Sequence, residues 1–102
     1  MIYNKAIRDK IPEIIKESGS GCNVKKLSDS EFLDELEKKL VEELNEYQQS
    51  KSVEELADIL EIIYRMSQLK GTSPGKLEEI RQEKTRKRGA FEKNLFLIDT
   101  VD

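Results

Sequence analysis

Histidine and tryptophan are both missing from this 102-residue chain, and it holds a single cysteine. The lack of histidine argues against the usual zinc and non-haem iron sites and removes the commonest general base. With Cys22 alone there is neither a disulfide framework nor a cysteine metal site, so a reducing, cytoplasmic setting is expected. No apolar run approaches the roughly 20 residues that span a bilayer, and no signal-peptide pattern opens the chain. Apolar content is also low, at 36% against 38% charged. One domain over residues 1–102 with a thin core is the expectation. Such a core favours an oligomer, because neighbouring chains supply burial that one chain lacks.

What the chain has in abundance is charge, unevenly placed. The formal net charge is only −3. Between Asp29 and Glu61, however, there are twelve acids against three basic residues, Lys38, Lys39 and Lys51. The flanks are basic, with Lys5, Arg8, Lys10 and Lys16 before this middle and Lys84, Arg86, Lys87 and Arg88 after it. An acidic middle between basic ends suits a metal site that binds a polyanion. Ordinary surface charge is the competing explanation.

Turn and cap signals divide the chain. Pro12 fits the first turn of a short helix, Ser18-Gly19-Ser20-Gly21 a loop, and Cys22 to Leu27 a short strand. Ser28-Asp29-Ser30-Glu31 opens a long helix running to about Gln49. A second helix starts at Lys51 or Ser52 and stops at Lys70-Gly71, and a third spans about Pro74 to Lys87 with Gly89 as its stop. Cations in the last turns of that third helix, Lys84 to Arg88, also favour its dipole. The apolar stretch from Phe91 to Val101 is expected to be extended and packed on the body or on a partner. The fold class expected is all-α, a helical bundle completed by oligomerisation with short extended terminal segments.

The acids sit on particular helix faces. At about 100° per residue, Leu33, Leu36, Leu40, Leu44 and Tyr47 form one narrow stripe, the expected buried face. Glu43 lies about 60° from Leu40, with Glu46 about 60° further round and Glu42 beyond. Glu43 and Glu46, at i and i+3, therefore flank the core and can converge on one point. In the second helix Val53, Leu56, Ala57, Ile59, Leu60, Ile63, Tyr64 and Met66 occupy one broad side. Ile62 and Leu69 lie nearly opposite, and Glu55 and Asp58 share their strip. Carboxylates on a buried strip need basic partners or a metal. Four of them with few local cations favour a hard divalent ion, Mg²⁺ or Mn²⁺, with a buried ion-pair network as the alternative.

The order of these motifs resembles a known family. Glu42-Glu43-Leu44-Asn45-Glu46 followed by Glu55-Leu56-Ala57-Asp58 resembles the signature of the all-α nucleotide pyrophosphatases. That superfamily includes the MazG proteins, dimeric dUTPases and phosphoribosyl-ATP pyrophosphatases. The opening Tyr3-Asn4-Lys5-Ala6-Ile7-Arg8-Asp9-Lys10-Ile11-Pro12 is similar to the start of its phosphoribosyl-ATP pyrophosphohydrolase-like subgroup. So are Glu79-Ile80-Arg81 through Lys84 and Arg88-Gly89-Ala90-Phe91-Glu92-Lys93, with Ala90 where a second glycine is expected. The short spacing between the acidic motifs fits a compact member.

The resemblance implies a MazG-like fold in which Glu43, Glu46, Glu55 and Asp58 bind Mg²⁺ and Glu42 orients or deprotonates the attacking water. It implies phosphate contacts from Lys84 and Arg88, with Lys5, Arg8 and Lys10 as further candidates. The reaction implied is hydrolysis of a nucleoside triphosphate between the α- and β-phosphates, giving monophosphate and pyrophosphate. The partners expected are a nucleotide substrate and further copies of the chain, in a dimer or tetramer, with no nucleic-acid polymer and no membrane. Pool house-cleaning is the leading role. A phosphoribosyl-ATP pyrophosphatase and a non-catalytic helical interaction module are the alternatives.

Overall fold

The computed structural model describes residues 1–101. Four helices follow one another: α1 (Ile11–Glu17), α2 (Asp29–Ser50), α3 (Val53–Leu69) and α4 (Pro74–Arg88). No strand occurs among the described residues, so the chain is all-α. The short strand expected over Cys22 to Leu27 is not formed, and these residues run without regular structure. An isolated extended segment has no ladder to join, and none of the surrounding elements offers one.

Local chemistry sets the helix ends. Ser28 caps α2 through a reciprocal box: its hydroxyl accepts from the Glu31 N–H at 3.2 Å, and its own N–H donates to Glu31 Oε1 at 3.2 Å. The two donors of Ser28 hold the Glu31 carboxyl below its usual range. Ser52 and Ser73 cap α3 and α4 in the simpler way, by accepting one backbone N–H each. Ser28→Ala is expected to cost about 1 kcal/mol of stability, read as a lowered denaturation midpoint with unchanged slope. A change below a few tenths of a kcal/mol would show that the box is not holding α2.

Only Lys51 and Ser52 separate α2 from α3. Lys51 takes a left-handed conformation, φ 59°, to reverse the chain. So short a link makes the two helices antiparallel neighbours. The first half of α2 therefore meets the second half of α3. Leu36 and Ile62 are buried there, with Phe32, Leu40, Met66 and Leu69 packed around them. Ala6, from the irregular segment before α1, fills the same core. The α4 helix touches α3 more lightly.

Both helices turn a different face inward from the one their apolar content favours. On α2 the inward stripe runs through Phe32, Leu36, Lys39 and Glu43, while Leu44 and Val41 are exposed. That rotation, about 70° from the apolar stripe, moves Glu43 from the edge to the middle of the buried face. On α3 the Ile62/Leu69 strip faces α2, carrying Glu55 and Asp58 with it. The broad apolar side, with Val53, Leu56, Leu60 and Tyr64, points outward.

Of the two packings expected for the tail, on the body or on a partner, the first is not made. Phe91, Leu95, Phe96, Leu97, Ile98 and Val101 are 77–99% exposed, so the tail is not packed on its own chain. The radius of gyration is 18.0 Å, against about 13 Å for a compact domain of this length. Accessible area is 9314 Å², against about 5,900 Å² for a compact monomer of this mass. One chain does not cover its own apolar surface.

Candidate metal centre

Because α2 and α3 run antiparallel, the second half of α2 lies beside the first turns of α3. Glu43, Glu55 and Asp58 each present a carboxylate oxygen, and these oxygens lie within 4.8 Å of one another. A second set, Glu42, Glu43 and Glu46, meets the same condition within α2. Glu43 belongs to both and links them. An octahedral Mg²⁺ at about 2.1 Å from its ligands needs neighbouring oxygens about 3 to 4 Å apart, so small side-chain rotations close either set.

Burial separates these acids. Glu43 is only 7% exposed, Glu42, Glu55 and Asp58 are partly buried, and Glu46 is exposed. Oε2 of Glu43 and Oε2 of Glu55 are both buried without any hydrogen-bond partner. Each such orphan costs about 1–3 kcal/mol unless something satisfies it. The nearest cation is Lys39, whose Nζ stands 3.7 Å from Glu43 Oε1, on the opposite oxygen from the orphan. Burial pushes the Glu43 carboxyl up to about 7, helped by the Glu46 and Glu55 side chains beside it and only partly opposed by Lys39. One inward oxygen on each of two carboxylates, Glu43 and Glu55, thus lacks a partner. Oxygen-only donors of this kind fit a hard divalent cation.

Basic residues from the N-terminal segment reach the same place. Arg8 Nη2 donates to Asp58 Oδ1 at 2.7 Å, and its Nη1 lies 4.0 Å from Glu61 Oε1. Lys5 Nζ donates to Glu42 Oε1 at 3.3 Å. These pairs account for Asp58 and Glu42 as an ion-pair network would. They leave Glu43 and Glu55 unanswered. Arg8, Lys10, Lys39, Glu43, Asp58 and Arg65 all line one cleft of about 920 Å³ between the N-terminal segment and the helix pair. It is large enough for a nucleotide-sized ligand.

Not every candidate residue comes to this cleft. Lys84 and Arg88 line a separate recess made of α4 residues alone, and α4 itself has only a light contact with α3. They are not among the residues that line the cleft holding Glu43 and Asp58. Lys39, in turn, was not among the sequence candidates. Its position four residues before Glu43 was the available signal, since i and i+4 share a helix face.

The class that fold and site define is an all-α chain with a helix-hairpin carboxylate cluster walled by basic residues. No protein-family model, curated protein or solved structure matches it. Among the described residues no helix is long and apolar enough to cross a membrane.

Proposed function

We propose that this chain is a Mg²⁺-dependent nucleoside triphosphate pyrophosphohydrolase of the MazG-like all-α superfamily, phosphoribosyl-ATP pyrophosphohydrolase-like subgroup, serving nucleotide-pool house-cleaning. The observation that carries the reading is Glu43: an inward carboxylate with an orphan oxygen, grouped with Asp58 and with Glu55, which has a buried orphan oxygen of its own. An ion-pair module would leave those oxygens unsatisfied.

Glu43, Glu55 and Asp58, with Glu46 on the outer side, would hold the metal, Mg²⁺ or Mn²⁺. When bound, the ion neutralises phosphate oxygens and lowers the pKa of water. Glu42 orients the attacking water and accepts its proton, while Lys5, whose Nζ donates to Glu42 Oε1 at 3.3 Å, holds the Glu42 side chain in place. Arg8 and Lys10 on the cleft wall offset charge on the leaving pyrophosphate. One water is consumed, the bond between the α- and β-phosphates breaks, and monophosphate and pyrophosphate result. The sequence offers no histidine or cysteine nucleophile in the cleft, and the chemistry requires none.

The same reading includes a homodimer or homotetramer. A neighbouring copy laid on Val53, Leu56, Leu60 and Tyr64 would bury the outward side of α3.

A panel of standard and non-standard nucleoside triphosphates together with phosphoribosyl-ATP, assayed for pyrophosphate with Mg²⁺ or Mn²⁺, tests the function and separates the two enzymatic alternatives. Glu46→Ala and Asp58→Ala are expected to lower turnover roughly 100-fold or more while retaining helical circular dichroism. A wild-type protein inert toward every nucleotide with either metal would sink the enzymatic reading.

A further inference from the structure

The N-terminal segment is anchored and armed at the same time. Ala6 is buried between Leu36 and Ile62, which fixes the backbone at the cleft. The Arg8 carbonyl accepts from the Ile11 N–H at 3.1 Å in the turn that starts α1, so Arg8 moves as a side chain, not as a loose strap. Its guanidinium is about half exposed, at 53%, and so is free to rotate. What it holds is Asp58, a carboxylate that also belongs to the Glu43, Glu55 and Asp58 set. Asp58 therefore has two competing uses. It can answer a guanidinium or serve a divalent cation, and each cation repels the other at this range.

Glu43 and Glu55 have no such choice, since their orphan oxygens have no alternative partner. The Arg8–Asp58 pair is the weak link, because both side chains are about half exposed and water competes for each. A guanidinium released from a carboxylate is well shaped for phosphate, which it grips through two parallel N–H donors. Lys10, also on the cleft wall, makes no ion pair among the described residues. It has nothing to exchange.

Building on the metal-dependent reading above, we propose that Arg8 exchanges partners: it pairs with Asp58 until Asp58 engages a divalent cation, and then turns to the phosphates of the substrate. Arg8 thereby couples the two binding events, so that metal and polyanion are taken in that order.

Calorimetric titration of the full chain tests this with two probes, Mg²⁺ alone and inorganic pyrophosphate at saturating Mg²⁺. Arg8→Ala is expected to bind Mg²⁺ about tenfold more tightly, because a competitor and a repelling charge are both removed. The same variant is expected to bind pyrophosphate about tenfold more weakly, because its guanidinium contact is lost. Arg8→Gln, which keeps most of the side-chain length, follows in both directions. Lys10→Ala tightens Mg²⁺ by much less. The opposing signs are the signature, since a residue that merely supports the fold weakens both. Unchanged or weaker Mg²⁺ binding in Arg8→Ala, or equal tightening in Lys10→Ala, overturns the exchange and leaves the metal site standing. Failure of the wild type and the variant alike to bind Mg²⁺ overturns the exchange and the metal reading together.

Discussion

Glu43→Gln is expected to raise the melting temperature of the metal-free protein at about pH 8 by roughly 10 °C, a gain that shrinks toward zero near pH 5. The cause is the displaced Glu43 carboxyl, lifted from 4.5 to about 7 by burial and by the acids around it. A raised folded-state value means that the native chain binds the proton more tightly than the unfolded chain does. The associated stability is fully present below 4.5 and is lost as pH rises through 7. Above that window the fold carries an ionised, buried and partly unpartnered carboxylate, at a cost of up to about 3 kcal/mol. Glutamine keeps the shape and removes the charge.

The same substitution should erase the metal response. Millimolar Mg²⁺ is expected to stabilise the wild type at pH 8, since a ligand that binds only the native state shifts unfolding by mass action. Glu43→Gln should show little further gain. Scanning calorimetry of both proteins at the two pH values, with and without Mg²⁺, reads all of this. A variant no more stable than wild type at pH 8 would show that Glu43 bears no electrostatic strain. A wild type indifferent to Mg²⁺ would count against a preformed metal site.

Leu56→Lys with Leu60→Lys should convert an assembly into monomers of 11.8 kDa, measured by light scattering behind size exclusion. The wild type is expected as a dimer or tetramer under the same conditions. Leu56, Leu60, Val53 and Tyr64 form an outward apolar side that a single chain leaves open, while among the described residues only Ala6, Leu36 and Ile62 are buried apolar core. An unpaired charge buried in such an interface costs several kcal/mol. With two per chain the melting temperature should drop by at least about 10 °C as well, because the core of one chain is small. A monomeric wild type at tens of micromolar, as stable as the double variant, would show that this side is simply solvated.

Element ends were legible because their causes are local. The Ser28 and Glu31 box, Ser52, Pro74 and the stops at Gly71 and Gly89 each act within one turn, and the helices begin and end within about a residue or two of those signals. The pairing of acids was legible too, since Glu43 and Glu46 share a face by helical period and Glu55 and Asp58 share the strip of Ile62. Less legible was the phase of each helix. Leu44 looked like core and is exposed, while Glu43 looked marginal and is the most buried acid of the cluster. Periodicity ranks faces by apolar content, but α2 and α3 each have two usable faces, and content alone does not say which neighbour claims which.

The basic residues make the same point at longer range. Lys5 and Arg8 reach the acids because Ala6 plugs the helix pair, a contact between residues 30 and more apart in sequence. Lys84 and Arg88, equally basic, line a recess of their own because α4 meets α3 only lightly.

The sequence by itself determined an all-α chain, its breaks, its thin core and the carboxylates that can converge. These follow from caps, period and composition, which operate over a few residues. Only the tertiary structure decided that Glu43 lies at the centre of the buried face, that Glu55 shares its want of a partner, and that Arg8 answers Asp58. Those facts depend on how two helices rotate against each other, and that rotation is set by the packing of both helices and the segment wedged between them.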